Sequence, residues 1–262
     1  MNAVCKICTS PAHLFSTAKL LNKYDIRYFR CENCGFIQTE EPFWLDEAYS
    51  EAINRCDVGL VSRNIDLCNK TSAILLSFFN ADGKFIDYGG GYGLLVRLMR
   101  DAGFDFYIYD INCKNLFVQD FEAEIEPQYK YELLSAFEVF EHLENPLAEI
   151  EKMLKSSQSI LFTTELLPAS NPKPDSWWYY LPEYGQHISF FTMKTLSVIA
   201  EKYSLNLFSD GKFFHLLTDK QISPLFFKIV SRMRVSAIIA AFSRRKSLIQ
   251  DDYRRITGKD RL

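Results

Sequence analysis

Four of the seven cysteines in this 262-residue chain fall in two ordered pairs, Cys5-Lys-Ile-Cys8 and Cys31-Glu-Asn-Cys34, with 22 residues between them. A C-x2-C pair puts two thiolates on one tight knuckle, and two knuckles complete a tetrahedral S4 cage of the kind zinc accepts. Gly35 follows the second pair, where a knuckle needs a permissive backbone. The spacer slightly exceeds the usual zinc patterns, but it contains Tyr24-Asp-Ile-Arg-Tyr-Phe29, which reads as a strand. A disulfide pair does not suit a reducing cytosol, and a redox C-x-x-C would not come twice. All four positions are ligands, so the metal is expected to be structural, contributing on the order of 10 kcal/mol to folding a segment with little core. Cys56, Cys68 and Cys113 share no such spacing and read as small, half-buried residues.

A second constellation is Asp87-Tyr-Gly89-Gly-Gly91-Tyr-Gly93, followed by Asp110. Glycines let a backbone approach a ligand and turn sharply into a helix. A dinucleotide fingerprint would read G-x-G-x-x-G, but the position after Gly93 is Leu94, so the spacing is G-x-G-x-G instead. Asp110 ends the next strand, where a carboxylate can accept both hydroxyls of a ribose. The four histidines form the third group, since imidazole alone titrates near neutral pH without a perturbed pKa. His13 and His215 read as structural or surface residues. His142 lies in Phe137-Glu-Val-Phe-Glu-His-Leu143, where the bland alternative leaves Glu138, Glu141 and His142 solvated. His187 lies in the densest aromatic run of the chain, Trp177 to Phe191, which Pro182 and Gly185 mark as a loop. Its rings suit stacking on sugars or bases, or else cover an apolar edge.

The elements that must position these groups alternate. Phe43 to Phe79 is mostly helical by the recurrence of Ile65, Leu67, Cys68, Ile74, Leu75 and Phe78. Strands follow at 84–88, 104–110, 131–137 and 159–165, with helices at 94–102 and 147–154 between them. A helix from Thr192 to Tyr203, with Thr192 as its cap, precedes short strands at 206–209 and 212–218. This rhythm predicts an α/β fold, a doubly wound and mostly parallel sheet with helices on both faces. Three segments are expected: a zinc ribbon at 1–45, a cofactor-binding domain at 46–220 and a basic helical C-terminal extension at 221–262.

Over about residues 82 to 218, the chain resembles the class I S-adenosylmethionine (SAM)-dependent methyltransferases. The resemblance implies a seven-stranded sheet whose last strand is inserted antiparallel. It also implies that Asp87, Gly89, Gly91 and Gly93 lie near the methionine part of SAM, with Asp110 on its ribose and Ile111 beside the adenine. Phe137 and Glu138 would belong to the motif after the fourth strand that lines the transfer centre. The four-Cys ribbon together with Tyr184-x-x-His187 before Ser189-Phe-Phe is similar to methyltransferases acting on sugars in natural-product and polysaccharide pathways. In the C-methylating members the motif reads Tyr-x-Glu-His, whereas Gln186 stands here in place of the acid. Gln cannot ionise, so the resemblance implies O-methylation or another sugar methylation, with His187 as general base, Tyr184 as an orienting or relay group and His142 as the second histidine. The cofactors implied are SAM and a structural zinc, and the acceptor is a nucleotide-linked or glycan sugar.

Composition limits the alternatives. Hydrophobic residues at 48% and charged residues at 24% exclude wholesale disorder, and aromatics at 15% supply both core and pocket lining. The formal net charge of −3 gives no overall footprint for nucleic acid. It hides a split: Lys228 to Arg261 carries ten Lys and Arg against three acids, and the remainder 20 against 30. Docking of this tail on its own acidic body is the simpler expectation. Leu225, Phe226, Ile229, Val230, Met233, Ala237 and Ala241 make a helical stripe that fits packing on the core or on a second subunit, hence a homo-oligomer, better than contact with a membrane surface. No signal peptide or spanning segment is visible, which points to the cytoplasm. The competing readings are an RNA methyltransferase using ribbon and tail to hold phosphates, and a SAM-binding, zinc-stabilised scaffold without turnover.

Overall fold

A computed structural model describes residues 2–49, 57–125 and 130–260. In chain order the elements are β1 (Asn2–Val4), β2 (Pro11–Leu20), β3 (Tyr24–Cys31), β4 (Ile37–Thr39), α1 (Leu45–Ala48), α2 (Leu60–Phe78), β5 (Lys84–Tyr88), α3 (Leu94–Asp101), β6 (Asp105–Tyr109), β7 (Leu133–Ala136), α4 (Pro146–Ser156) and β8 (Ser159–Thr163). They continue with β9 (Ser189–Phe190), α5 (Met193–Lys202), β10 (Asn206–Ser209), β11 (Phe214–Thr218), α6 (Pro224–Val230), α7 (Met233–Ala241) and α8 (Ile249–Thr257). Two sheets result, one ordered β1-β2-β3-β4-β9 and one ordered β10-β11-β8-β7-β5-β6.

The chain divides into two compact units. The first comprises Met1–Asn54, Phe137–Lys152 and Phe162–Lys220. Its five-stranded sheet is antiparallel wherever register is defined, from β1 on β2 through β4 on β9. Leu20, Ile26, Tyr28, Ile37 and Trp44 form a core there with Tyr179, Tyr180, Ile188 and Phe190. The aromatic run is therefore mostly interior. Tyr179 and Tyr180 are fully buried, and Trp178, at 65% exposed, is the ring left to solvent. Leu21 N–H donates to the Pro182 carbonyl and Trp44 Nε1–H to the Gly185 carbonyl, pinning the run to the N-terminal segment. Gly185 has φ +66°, and a Cβ there would come within 3.2 Å of both Leu21 and Trp44. The run is also less loop-like than its composition suggests, since it contains a 3-10 turn at Trp178–Tyr180 and the strand β9.

The second unit comprises Arg55–Ala136, Met153–Leu161 and Gln221–Leu262. Here β5 lies parallel to both β6 and β7. The expected strands at 84–88, 104–110, 131–137 and 159–165 correspond to β5, β6, β7 and β8. Among the described residues the sheet holding them has six strands, one fewer than the resemblance implies. Beyond β6 the chain makes a single parallel bridge, Ile108 to Glu122, where another strand would lie. In the first unit β10 and β11 pair antiparallel, the inversion expected at the end of such a sheet.

The C-terminal extension differs from the single stripe expected. Ser231 and Arg232 break it into α6 and α7, and α6 turns Phe227 and Val230 inward while Leu225, Phe226 and Ile229 stay exposed. A third helix, α8, follows. Its anchor is an acid: Asp252 accepts from Arg100 Nη2 at 2.6 Å, Arg100 Nε at 2.9 Å and Arg97 Nη2 at 2.8 Å. Arg245 supplies a bond of the expected sense, to Asp82 at 2.9 Å. No helix among the described residues is long and apolar enough to cross a membrane.

Candidate functional site

In the second unit, Asp87 leaves β5 almost fully buried, with Ser135 Oγ donating to its Oδ1 at 2.6 Å. Burial, with a smaller contribution from Asp110, pushes its pKa up to about 7, although the Ser135 bond acts in the opposite direction. The loop that follows has its conformation dictated at two places. A Cβ on Gly90 would lie 2.8 Å from Asp87 Oδ2, and one on Gly93, at φ +88°, would lie 2.7 Å from Val118. Side chains are thus excluded by packing as much as by any ligand. At Gly91 the space is open. Its N–H donates to Asp110 Oδ2 at 2.8 Å, and Asp110 Oδ1 accepts from the N–H groups of Asn112 and Cys113 at 2.8 and 2.7 Å.

Asp110 therefore ties the glycine loop to the turn after β6 and retains part of its acceptor capacity. A cavity of about 150 Å³ opens beside it, lined by Ile108, Tyr109, Asp110, Cys113, Asn115 and Glu122 among others. Ile111 is exposed. Ser135, Asn115 and Glu122 were not singled out by sequence. Ser135 could have been, because an inward polar residue beside a buried strand carboxylate is its natural donor.

In the first unit, the segment after β7 carries strain. Glu138 has φ +55°, a left-handed conformation uncommon for a non-glycine residue. Thr163 holds it there, accepting from Glu138 N–H at 2.8 Å and donating to its Oε1 at 3.0 Å. Phe137 stacks on Phe214. The following 3-10 turn, Phe140–His142, sends Glu141 into the interior at 0% exposure. Neither Glu141 oxygen has a hydrogen-bond partner. Burial, then the charge of Glu138, pushes its pKa up to about 8. The solvated alternative for Glu141 is thus incorrect.

His142 and His187 meet edge to face with ring centroids 4.9 Å apart. His187 is 7% exposed, and its Nδ1 lies 2.6 Å from the Tyr179 carbonyl. Nδ1 of His142 lies 3.0 Å from the Gln186 carbonyl and 3.0 Å from Tyr49 Oη. A carbonyl only accepts, so both Nδ1 atoms carry the proton and each ring keeps its lone pair on Nε2. Burial lowers His142 to about 4, and burial with the neighbouring His142 lowers His187 to about 3, so both are neutral at physiological pH. Gln186 donates its amide to the Ala48 carbonyl at 2.7 Å, a bond that an ionised glutamate could not make. Tyr184 is half-buried in the turn closed by its N–H on the Leu181 carbonyl.

The four ribbon cysteines also converge. Sγ of Cys5 lies 3.7 Å from that of Cys34, and Sγ of Cys8 lies 3.4 and 3.6 Å from those of Cys31 and Cys34. Four sulfurs each about 2.3 Å from a central zinc would stand roughly 3.8 Å apart. A disulfide needs about 2.05 Å. Backbone N–H groups of Ile7 and Cys34 point at Cys5 and Cys31 sulfurs, as knuckles that hold thiolates do. The donor set fits a tetrahedral metal.

The protein-family model described as "Methyltransferase domain" matches residues 62–209, more than half of the chain, and the chain belongs to that family. It is therefore a member of an enzyme family. No curated protein matches it. Among solved structures, CalO1, a methyltransferase in calicheamicin biosynthesis in its SAH-bound form, is 11% identical with a TM-score of 0.40, the match covering 59% of this chain and 54% of that one. An O-methyltransferase family 2 protein from Planctomyces limnophilus in complex with apigenin is 13% identical (TM-score 0.44, 67% and 65% covered). An O-methyltransferase family protein from Burkholderia thailandensis is 9% identical (TM-score 0.47, 69% and 68% covered). The chain spans little more than half the length of CalO1 and under two thirds of the Planctomyces protein.

Proposed function

We propose that the protein transfers a methyl group from SAM to a hydroxyl of a sugar, nucleotide-linked or within a glycan, and carries a structural zinc on Cys5, Cys8, Cys31 and Cys34. In this reading the glycine loop and Asp87 receive the methionine part of SAM and Asp110 its ribose. The sulfonium methyl is already activated, so the protein must position the acceptor, exclude water and take up one proton. The observation that carries the reading is the pair His142–His187, the second buried and the first half-buried. Both rings are neutral, both tautomers are fixed by backbone carbonyls, and each presents an Nε2 lone pair. His187 is the candidate base, with His142 beside it and Tyr184 orienting the acceptor, and it takes up the proton against burial and the His142 ring, both of which disfavour its charged form. Phe137 and Glu138 shape the same segment. The fixed role of Gln186 favours O-transfer over a mechanism needing an acid at that position.

Asp110→Ala should weaken SAM binding at least tenfold by calorimetry; unchanged affinity would remove the ribose assignment. One zinc per chain is expected by elemental analysis. Cys8→Ser with Cys31→Ser should abolish it and destabilise the sheet β1–β4, seen as loss of amide protection there. Zinc retained in that double variant would refute the S4 site.

A further inference from the structure

Glu141, His142 and His187 form a second cluster whose chemistry differs from that of the cysteines. One ligand atom from each lies within 4.8 Å of those of the other two. Glu141 is wholly buried, and both its oxygens lack a hydrogen-bond partner. The hydroxyls of Tyr179 and Thr164, 3.3 Å from each other, lie near enough to favour its charged form, but neither makes a hydrogen bond of normal geometry to it. A buried carboxylate without partners is costly, and such groups in native proteins are normally paired or bound to a metal. The histidines are arranged as ligating histidines are. Each donates Nδ1–H to a backbone carbonyl, His187 to Tyr179 and His142 to Gln186, which fixes the tautomer and leaves Nε2 for a cation.

We infer that Glu141, His142 and His187 form a divalent-cation site for a first-row transition metal. Two imidazoles and one carboxylate suit manganese, iron, cobalt or zinc better than magnesium or calcium, which favour all-oxygen sites. Three protein ligands leave coordination positions open, so the bound ion can take a small oxygen ligand such as water or a hydroxyl. The site goes beyond the base role given to His187, because a lone pair held by a cation cannot also take a proton. It also does not depend on methyl transfer.

The test uses the full chain with its cysteine site loaded with zinc, and Mn2+ as probe, since thiolates disfavour manganese. Free Mn2+ is followed by its paramagnetic resonance signal, and thermal unfolding is recorded with and without the ion. One Mn2+ per chain is expected, with a raised melting temperature. Glu141→Gln, which keeps the shape of the side chain, and His187→Gln should each weaken binding at least tenfold and abolish the thermal shift. No binding by the native chain, or equal binding by the folded Glu141→Gln protein, overturns the site. A bound ion would remove His187 as the base, whereas transfer of methyl from SAM is read separately, by label in the acceptor.

Discussion

At the scale of single residues, the chemistry rests on groups whose charge states are set by burial. His215 shows this away from the site. Its Nε2–H donates to the Thr164 carbonyl at 3.0 Å, Ser209 Oγ lies 2.8 Å from Nδ1, and burial lowers its pKa to about 4. The folded-state value lies below the unfolded one of about 6.5, so the unfolded chain binds the extra proton. Its contribution to stability is full above about pH 6.5 and is lost as pH falls toward 4. His215→Gln should flatten this limb of the stability profile by chemical denaturation, and an unchanged limb would contradict the assignment. The candidate residues stood out in sequence by type, since Asp87, the glycines, Asp110 and the four cysteines stand at telling spacings. The convergence of Glu141, His142 and His187 was not legible. It depends on a 3-10 turn ending at His142 and a mostly buried aromatic run that begins only at Trp177, and no local pattern encodes their meeting.

Elements were legible where a segment is apolar at a regular interval. The limits of β5 follow directly from Lys84-Phe-Ile-Asp-Tyr88, and Thr192 caps α5 as expected. Where burial is irregular the sequence was less informative, leaving β2 unread and α8 only within the helical extension expected at 221–262. β2 mixes exposed and buried positions without alternation, and α8, Ile-Gln-Asp-Asp-Tyr-Arg-Arg-Ile-Thr, is nearly all polar. β9 has two residues and exists because β4 offers it an edge. The Thr192 cap has a second duty, since its hydroxyl also donates to the Cys34 carbonyl at 2.7 Å. Thr192→Ala should therefore cost about 1–2 kcal/mol, the loss of a cap and a bond to the cysteine knuckle. Thermal unfolding would register this as a drop of a few degrees, and no drop would show that the capping box is dispensable.

For the molecule as a whole, net charge of opposite sign in tail and body suggested contacts from basic tail residues, as Arg245 makes to Asp82, but not the buried one of opposite sense. The strongest link in the second unit is Asp252 of the tail on Arg97 and Arg100, with the Asp252 and Arg100 side chains each only 5% exposed. Without Asp252, Arg100 keeps Asp105 and Arg97 keeps Asp101, so the loss is that of the charge-assisted bonds alone, about 1.5–3 kcal/mol. Asp252→Ala should approach that loss in denaturant unfolding, whereas an effect below about 0.5 kcal/mol would mean that α8 docks by other contacts.

Incubating the full chain with methyl-labelled SAM and a mixed pool of nucleotide sugars, glycan fragments and RNA tests methyl transfer to a sugar most directly. Label is predicted in a sugar fraction, and its loss in a His187→Ala variant that still binds SAM. Label in RNA alone, or no label anywhere from a protein that binds SAM and its metal, would contradict it.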